Sequence, residues 1–305
     1  MVVLKFYGTF PPIVGTYPIR KIMIKVENLS YTYPKSKETV LKNLSFEIEQ
    51  GEIFGFLGPS GAGKSTTQKI LYKILHDFSG EISIKNKPLK DWGNEYFEKI
   101  GVGFELPNHY LKLTAKENLK LFASFYPEKN LQNFDMLFET FGLAGDADKR
   151  VEEFSKGMKM RLNFIRAIMH DPDILFFDEP TTGLDPVNAQ KIKRYIKKLK
   201  NEGKTIFVTT HDMTTADELC DRVSFIAGGE IRLTEKPSVL KNTHGKHTVK
   251  VELQNQQTAE FPVKDLGNNP NFLEFISQDE ILRINTQEAT LEEVFIKITG
   301  TKLME

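Results

Sequence analysis

The chain of 305 residues holds one cysteine, Cys220, and one tryptophan. A single thiol can make neither an intrachain disulfide nor a cysteine zinc site, so the sequence suits a reducing compartment. Cys220 is expected to be a small buried apolar residue. An excess of charge is missing too: Lys+Arg and Asp+Glu both number 41, for a formal net charge of zero. Nucleic-acid binders that work by electrostatics usually carry a basic surplus, so no nucleic-acid partner is expected. No apolar run approaches the roughly 18–20 residues that a membrane helix needs. The longest are short, such as ILFF at 174–177. The opening MVVLKFYGTFPPIVGTYPIRK has prolines and glycines where the apolar centre of a signal peptide would lie, so no export signal is read. Residues 1–22 are taken as an N-terminal extension, either an arm or the result of a start upstream of Met23. Internal repeats and low-complexity tracts are also absent.

What is present is enough apolar residue, 40%, to build a packed core. From Ile24 short β-like runs alternate with helical ones. IKVENLSYTY and TVLKNLSFEIE read as strands of a preliminary sheet, and EIFGFLG (52–58) as a buried strand. KSTTQKILYKILHDF (64–78) has helical spacing, with Ile70, Leu71, Ile74 and Leu75 on one face. Residues 114–170 are mostly helical and interrupt the alternation, which returns with DILFFDEP, the helix from Pro186, KTIFVTTH and the hairpin RVSFIAGGEIRL. Strands separated by helices of this length imply a parallel α/β sheet. Beyond residue 240, KNTHGK reads as a polar link into a small α+β appendage (241–305). ATLEEVFIKITG is expected as its last helix, with Thr290 and Glu293 in a capping-box pattern.

GPSGAGKS (58–65) is Gly58, four residues (Pro59, Ser60, Gly61, Ala62), then Gly63, Lys64 and Ser65, with Thr66 following. It lies after a strand and opens a helix, as a P-loop must. Glycines let successive backbone N–H groups face one anion. The helix start adds its positive end. Lys64 supplies a mobile charge for the β- and γ-phosphates, and the Ser65 hydroxyl a ligand for Mg²⁺. A guanine reader would want Asn-Lys-x-Asp; the nearest string, NKPL at 86–89, lacks the aspartate. A GTPase is therefore disfavoured.

ILFFDEP (174–180) is an apolar strand that ends in two carboxylates. Asp178, beside a P-loop, can hold Mg²⁺ directly or through water. Glu179 can point to an attacking water as general base. TTGLDP (181–186) and TTHDM (209–213) follow. His211 ends an apolar strand, where ligands of α/β sheets bind. There it could contact the γ-phosphate or orient the water. The histidines at 76, 109, 170, 244 and 247 are given no chemistry.

Taken together, residues 24–240 strongly resemble the ATP-binding subunit of an ABC transporter. The resemblance implies the P-loop ABC-ATPase fold: an α/β core with a mixed, mainly parallel sheet, an antiparallel β subdomain and a helical insertion (about 106–170), spanning 23–240. Its Walker A loop is Gly58 to Ser65, its Walker B strand ILFFD ends at Asp178, and Glu179 is its catalytic glutamate. Asp185 in GLD matches the D-loop, and His211 the H-loop histidine. Tyr33 in YTYP matches the aromatic residue that stacks on adenine. The signature, often Leu-Ser-Gly-Gly-Gln, reads here Phe154-Ser155-Lys156-Gly157-Met158. The resemblance implies that Ser155 and Gly157 cap the γ-phosphate of ATP held by an opposite subunit, a second copy or a paralogous ATPase, in a head-to-tail sandwich. Lys156 departs from the common pattern and is expected to face solvent. Glu105 stands where the family has a metal-binding glutamine, which makes it a third metal candidate beside Ser65 and Asp178. LTAKENL (113–119) resembles the region that receives the coupling helix of a permease.

The tail ATLEEVFIKITG resembles that of ATPases serving ABC-2-type exporters. The implied activity is ATP hydrolysis driving transport through a separate integral membrane permease. The implied place is the cytoplasmic side of the membrane, as a peripheral subunit. A soluble ABC ATPase acting on ribosomes or nucleic acid is the alternative. It is disfavoured because there is one P-loop and only about a hundred residues between Walker A and the signature. An importer ATPase shares the core motifs, and the tail argues against it. The lysine- and arginine-rich face of 187–200 is expected to be a solvated face of an amphipathic helix.

Overall fold

The computed structural model describes residues 21–245, 247–287 and 289–301. Residues 1–20, most of the expected N-terminal extension, lie outside the described residues. In chain order the strands and helices are β1 (Ile22–Thr32), β2 (Thr39–Glu49), β3 (Ile53–Leu57), α1 (Lys64–Leu71), β4 (Ser79–Ile84), β5 (Lys87–Pro88), β6 (Ile100–Gly103), α2 (Ala115–Ala123), α3 (Phe134–Thr140) and α4 (Lys156–Ile168). There follow β7 (Ile174–Asp178), α5 (Pro186–Asn201), β8 (Thr205–Thr210), α6 (Met213–Leu219), β9 (Arg222–Ala227), β10 (Glu230–Glu235) and α7 (Pro237–His244). The C-terminal part adds β11 (Thr248–Leu253), β12 (Thr258–Pro262), α8 (Pro270–Ile276), β13 (Ile281–Gln287) and α9 (Leu291–Thr299).

The central sheet runs β10-β9-β3-β8-β7-β6. Five of its strands are parallel, and β10 closes one edge as an antiparallel hairpin with β9. Helices lie on both faces, so the strands are apolar on both sides. Alternation along each strand divides the core in two. Leu175, Phe177, Ile206, Val208 and Phe225 face a cluster that includes α2 to α6. Ile174, Phe176, Phe207, Phe54 and Phe56 face a second cluster with Ile70 and Leu71 of α1 and the antiparallel sheet β2-β1-β4-β5. Phe46 of β2 packs face to face with Phe54 and Phe207, at centroid separations of 5.8 and 6.0 Å. Gly55 in β3 leaves room for Cys220, whose Sγ would lie 2.7 Å from a Cβ at that position. Cys220 is thus the buried filler expected, and burial raises its thiol well above the usual range.

Three elements differ from the sequence reading. The helix expected over 64–78 ends at Leu71. Lys73 is left-handed (φ 60°), and the N–H groups of Ile74 and Leu75 turn back to the Lys69 carbonyl. This C-terminal wrap satisfies a helix-end acceptor and turns Ile74 outward, 55% exposed. Of the polar link expected at 241–246, residues 241–244 are helix and 246 lies outside the described residues: α7 starts on Pro237 at its first turn, and Leu240 anchors it in the core. The last helix does not close the small sheet. Leu291, Val294 and Phe295 of α9 enter the main core beside α6 and α7, and Phe295 meets Phe225 edge-on at 5.1 Å. The apolar stripe is buried as its spacing implies, but a stripe does not name the surface it will cover. The small sheet β12-β11-β13 is served instead by α8, through Phe261, Phe272 and Phe275. The capping box of Thr290 and Glu293 forms in both directions.

Candidate nucleotide site

The loop between β3 and α1 is shaped by positions that exclude side chains. A Cβ on Gly58 would lie 2.1 Å from the Ile226 carbonyl oxygen, so the loop can press on β9 only without one. Gly63, the residue before α1, is left-handed (φ 105°), and a Cβ there would meet Leu41 at 2.5 Å. Both glycines hold the loop low, and the start of α1 faces the cavity above it. Gly58→Ala is therefore expected to cost at least 2 kcal/mol of stability, because backbone must move. Thermal melting of the variant checks this; an unchanged melting temperature would contradict the tight fit.

Lys64 is 8% exposed. Its Nζ donates to the carbonyl oxygens of Gly58 (2.7 Å) and Pro59 (3.0 Å). Burial holds its ammonium below the usual lysine value, against the opposing pull of Glu179, Asp178 and Glu105. A cation so placed has already lost most of its water. Anionic oxygens brought into the cavity would replace weak carbonyl partners with charged ones.

The carboxylates come from the end of β7. Asp178 pairs with Thr209 of β8 in the parallel register, and the Thr209 hydroxyl donates to Asp178 Oδ1. Glu179 follows in the left-handed region (φ 50°), a conformation that costs a residue with a Cβ roughly 1–3 kcal/mol. Its side chain is 8% exposed and fully engaged. Oε1 accepts from the His211 backbone N–H (2.9 Å) and from His211 Nδ1 (2.6 Å). Oε2 accepts from the hydroxyls of Thr210 (2.9 Å) and Thr182 (3.4 Å). A carboxylate only accepts, so Nδ1 carries the proton in this contact.

Tyr33, Ser60, Gly61, Gly63, Lys64, Ser65, Thr66, Glu105, Asp178, Glu179 and His211 line one cavity of about 660 Å³ with Val40. That volume suits a nucleotide-sized ligand. Tyr33 stands at its rim with its hydroxyl 3.0 Å from Thr66 Oγ1. Gly58, Pro59 and Ala62 shape the loop from beneath without lining the cavity; Ala62 is buried in the core. Ser155, Gly157 and Asp185 lie elsewhere. Ser155 caps α4, its hydroxyl accepting from the Met158 N–H at 3.2 Å. Asp185 caps α5 through Asn188, and those hydrogen bonds hold its carboxyl below the usual range. The two caps are linked locally: Gly157 lies against Gly183 and Leu184, and the Lys156 stem crosses Gly183. Lys156 is otherwise exposed, as expected. Ser155 and Gly157 thus present a helix start that the chain's own P-loop cavity does not use.

Residues 41–182 match the ABC transporter family. A fluoroquinolones export ATP-binding protein of Mycobacterium tuberculosis is 47% identical over 92% of this chain and 94% of its own length. The bacitracin transport ATP-binding protein of Bacillus licheniformis is 31% identical over 91% of this chain and 97% of its own. A solved ATP-binding cassette, a dimer in a post-hydrolysis state bound to ADP and phosphate, superposes with TM-score 0.64 and 31% identity. It covers 70% of this chain and 98% of the cassette. The chain belongs to the ABC transporter ATP-binding family.

An ABC cassette binds ATP, and among the described residues no group of three or more His, Cys, Asp and Glu side chains could hold a metal alone. Ser65, Asp178 and Glu105 around the cavity fit Mg²⁺ better, since that ion keeps waters and takes one or two carboxylates plus phosphate oxygens. Around the cassette's site, sequence reasoning overlooked several residues. Thr209 and Thr210 read as ordinary strand residues, yet each holds one of the two carboxylates. The loop after β6, which carries Glu105, is pinned by α4: Asn163 donates to the Phe104 carbonyl (2.8 Å), and Arg166 to that of Asn108 (2.6 Å). His109, given no chemistry, is buried, with Nε2 3.1 Å from the Lys159 carbonyl. Burial, with Arg166 nearby, lowers its pKa to about 4 and keeps the ring neutral. Phe104, Tyr110, Phe122, Tyr126 and Arg166 line a second hollow of about 520 Å³ beside this loop, edged by exposed Ile74 and Phe97. The cationic face of α5 is partly paired rather than wholly solvated: Lys193 meets Glu218 at 2.8 Å, and Lys200 meets Asp221. No helix among the described residues is long and apolar enough to cross a membrane.

Proposed function

We propose that this chain is the ATP-hydrolysing subunit of an ABC-2-type exporter, working from the cytoplasmic face on a separate membrane permease. The observation that carries the chemistry is the convergence of Lys64, Asp178, Glu179 and His211 on one cavity. Its relatives' names, fluoroquinolone export and bacitracin transport, support the exporter side. Lys64 and the α1 start hold the phosphates in line, and Tyr33 stacks on the base. Ser65, Asp178 and Glu105 would hold Mg²⁺, which would supply positive charge against the negative charge of the phosphates. Glu179 orients a water and takes its proton. The water oxygen bonds to the γ-phosphorus as the bridging P–O bond to ADP breaks, and inorganic phosphate leaves. His211, 44% exposed by its side chain, swings between Glu179 and the γ-phosphate. Ser155 and Gly157 close over the γ-phosphate held by a second copy of the chain, which explains why they stand outside their own cavity. The aromatic hollow beside the Glu105 loop receives the permease, and Asn163 and Arg166 tie that loop to the helix that Ser155 caps.

The purified chain is expected to hydrolyse ATP only with a divalent cation, at a rate that its permease changes. A chain that binds ATP without any hydrolysis, alone or with the permease, would contradict the reading. Glu105→Gln exchanges a charged metal ligand for a neutral one. The half-saturating Mg²⁺ concentration should rise about 3- to 10-fold, near 1 kcal/mol of lost attraction. An unchanged Mg²⁺ titration and ATPase rate would remove Glu105 from the metal site.

A further inference from the structure

Glu179 must hold its carboxylate still while freeing one oxygen direction for a water. In this structure every direction is taken, by the His211 ring and backbone N–H at Oε1 and by the Thr210 hydroxyl, with Thr182 at a longer 3.4 Å, at Oε2. His211 lines the cavity, and its ring is the group able to leave. Thr210 is different. It is 1% exposed and sits at the end of β8, where Leu57 of β3 pairs with it. Its hydroxyl donates to Glu179 Oε2 at 2.9 Å and accepts the Asp212 N–H at 3.0 Å, so its one donor hydrogen is aimed at the carboxylate. The Glu179 backbone N–H in turn bonds to the Thr209 carbonyl at 2.9 Å. The left-handed turn at Glu179 is therefore tied to β8 at both its backbone and its side chain.

We infer that Thr210 is the positioning residue of the hydrolytic site: its hydroxyl fixes the Glu179 carboxylate when His211 turns away to the phosphate. The adjacent Thr209 does the same for Asp178, so two successive threonines of β8, pointing to opposite sides, each hold one carboxylate of the β7 end. Thr210 touches no substrate and acts only through Glu179. The inference rests on Glu179 being the base.

The test compares Thr210→Val, Thr210→Ala and Thr210→Ser in the full chain, with Glu179→Gln measured beside them. Valine keeps the shape of threonine and removes the hydroxyl; alanine removes the hydroxyl without the branch. Both should lose about 10- to 100-fold in kcat while Kd for ATP stays within threefold, since a base displaced by a fraction of an ångström fails at the chemical step. Thr210→Ser, which keeps the hydroxyl, should recover at least half of the parent rate. In the Glu179→Gln background, Thr210→Val should lower the residual rate no further. Full turnover in Thr210→Val or Thr210→Ala, failure of serine to rescue, or a loss of ATP affinity equal to the loss of rate would each overturn the inference. If Glu179→Gln itself turns over normally, the assignment of the base fails, a result distinguishable from failure of Thr210 alone.

Discussion

Glu179→Gln is expected to lower the ATPase kcat by about 10²- to 10⁴-fold, the range a positioned general base contributes, with ATP affinity within threefold of the parent. The geometry explains the split. Glu179 lies at the cavity wall, and Lys64 and the α1 start, the groups proposed to face the phosphates, line the cavity independently of it. Glutamine keeps the length, and its single amide oxygen can still accept from Thr210 in the Oε2 position, so the fold of the site should survive. It cannot take a proton from water. The amide NH₂ then stands in place of Oε1, which now accepts from both the His211 backbone N–H and Nδ1 (2.6 Å), so the backbone N–H loses its acceptor and the imidazole must turn or change tautomer. Single-turnover kinetics with a separate ATP titration read the two quantities apart. Loss of binding together with rate would mean that Glu179 shapes the pocket rather than the chemistry.

Lys64→Ala should act on the other side of that split. Its ammonium is buried and held by two loop carbonyls, so its charge is nearly desolvated before any phosphate arrives. Removing it forfeits charge-assisted hydrogen bonds to phosphate, about 1.5–3 kcal/mol each. ATP affinity should fall by roughly 10²-fold or more, as read by calorimetry. Lys64→Arg should not restore it, because a planar fork does not fit between the Gly58 and Pro59 carbonyls as a point charge does. An alanine variant with parental affinity would remove Lys64 from phosphate binding.

Much of this site was legible because its parts are local in sequence. A glycine-rich loop between a strand and a helix, and an apolar strand ending in two acids, carry their geometry within eight residues. The central sheet was legible for a related reason: strands buried on both faces are short apolar runs, and the helices between them are periodic. What escaped notice depends on neighbours distant in sequence. Thr210 matters because β8 lies beside β7, 31 residues away in the chain from Glu179. Asn163 and Arg166 matter because α4 crosses the loop after β6, nearly 60 residues upstream. Neither threonine nor asparagine announces such a partner by its spacing. The surface under α9 escaped for the same reason: the stripe Leu291, Val294, Phe295 showed which face would be buried, while Phe225 and α7 decided against what. The early end of α1 came from a left-handed lysine, a residue type that gives no warning of it.

Ser155 and Gly157 give the account its sharpest consequence, since they are a helix start with no phosphate of their own to cap. The most direct measurement is the mass of the Glu179→Gln protein by light scattering with ATP and Mg²⁺, with its permease present if the chain alone is too weak. A species containing two copies of the chain is expected, formed with ATP, absent with ADP, and lost when Ser155→Arg is added to the same protein. A Glu179→Gln chain that binds ATP and stays a single copy under all of these conditions, or pairs equally well with Ser155→Arg, would contradict it.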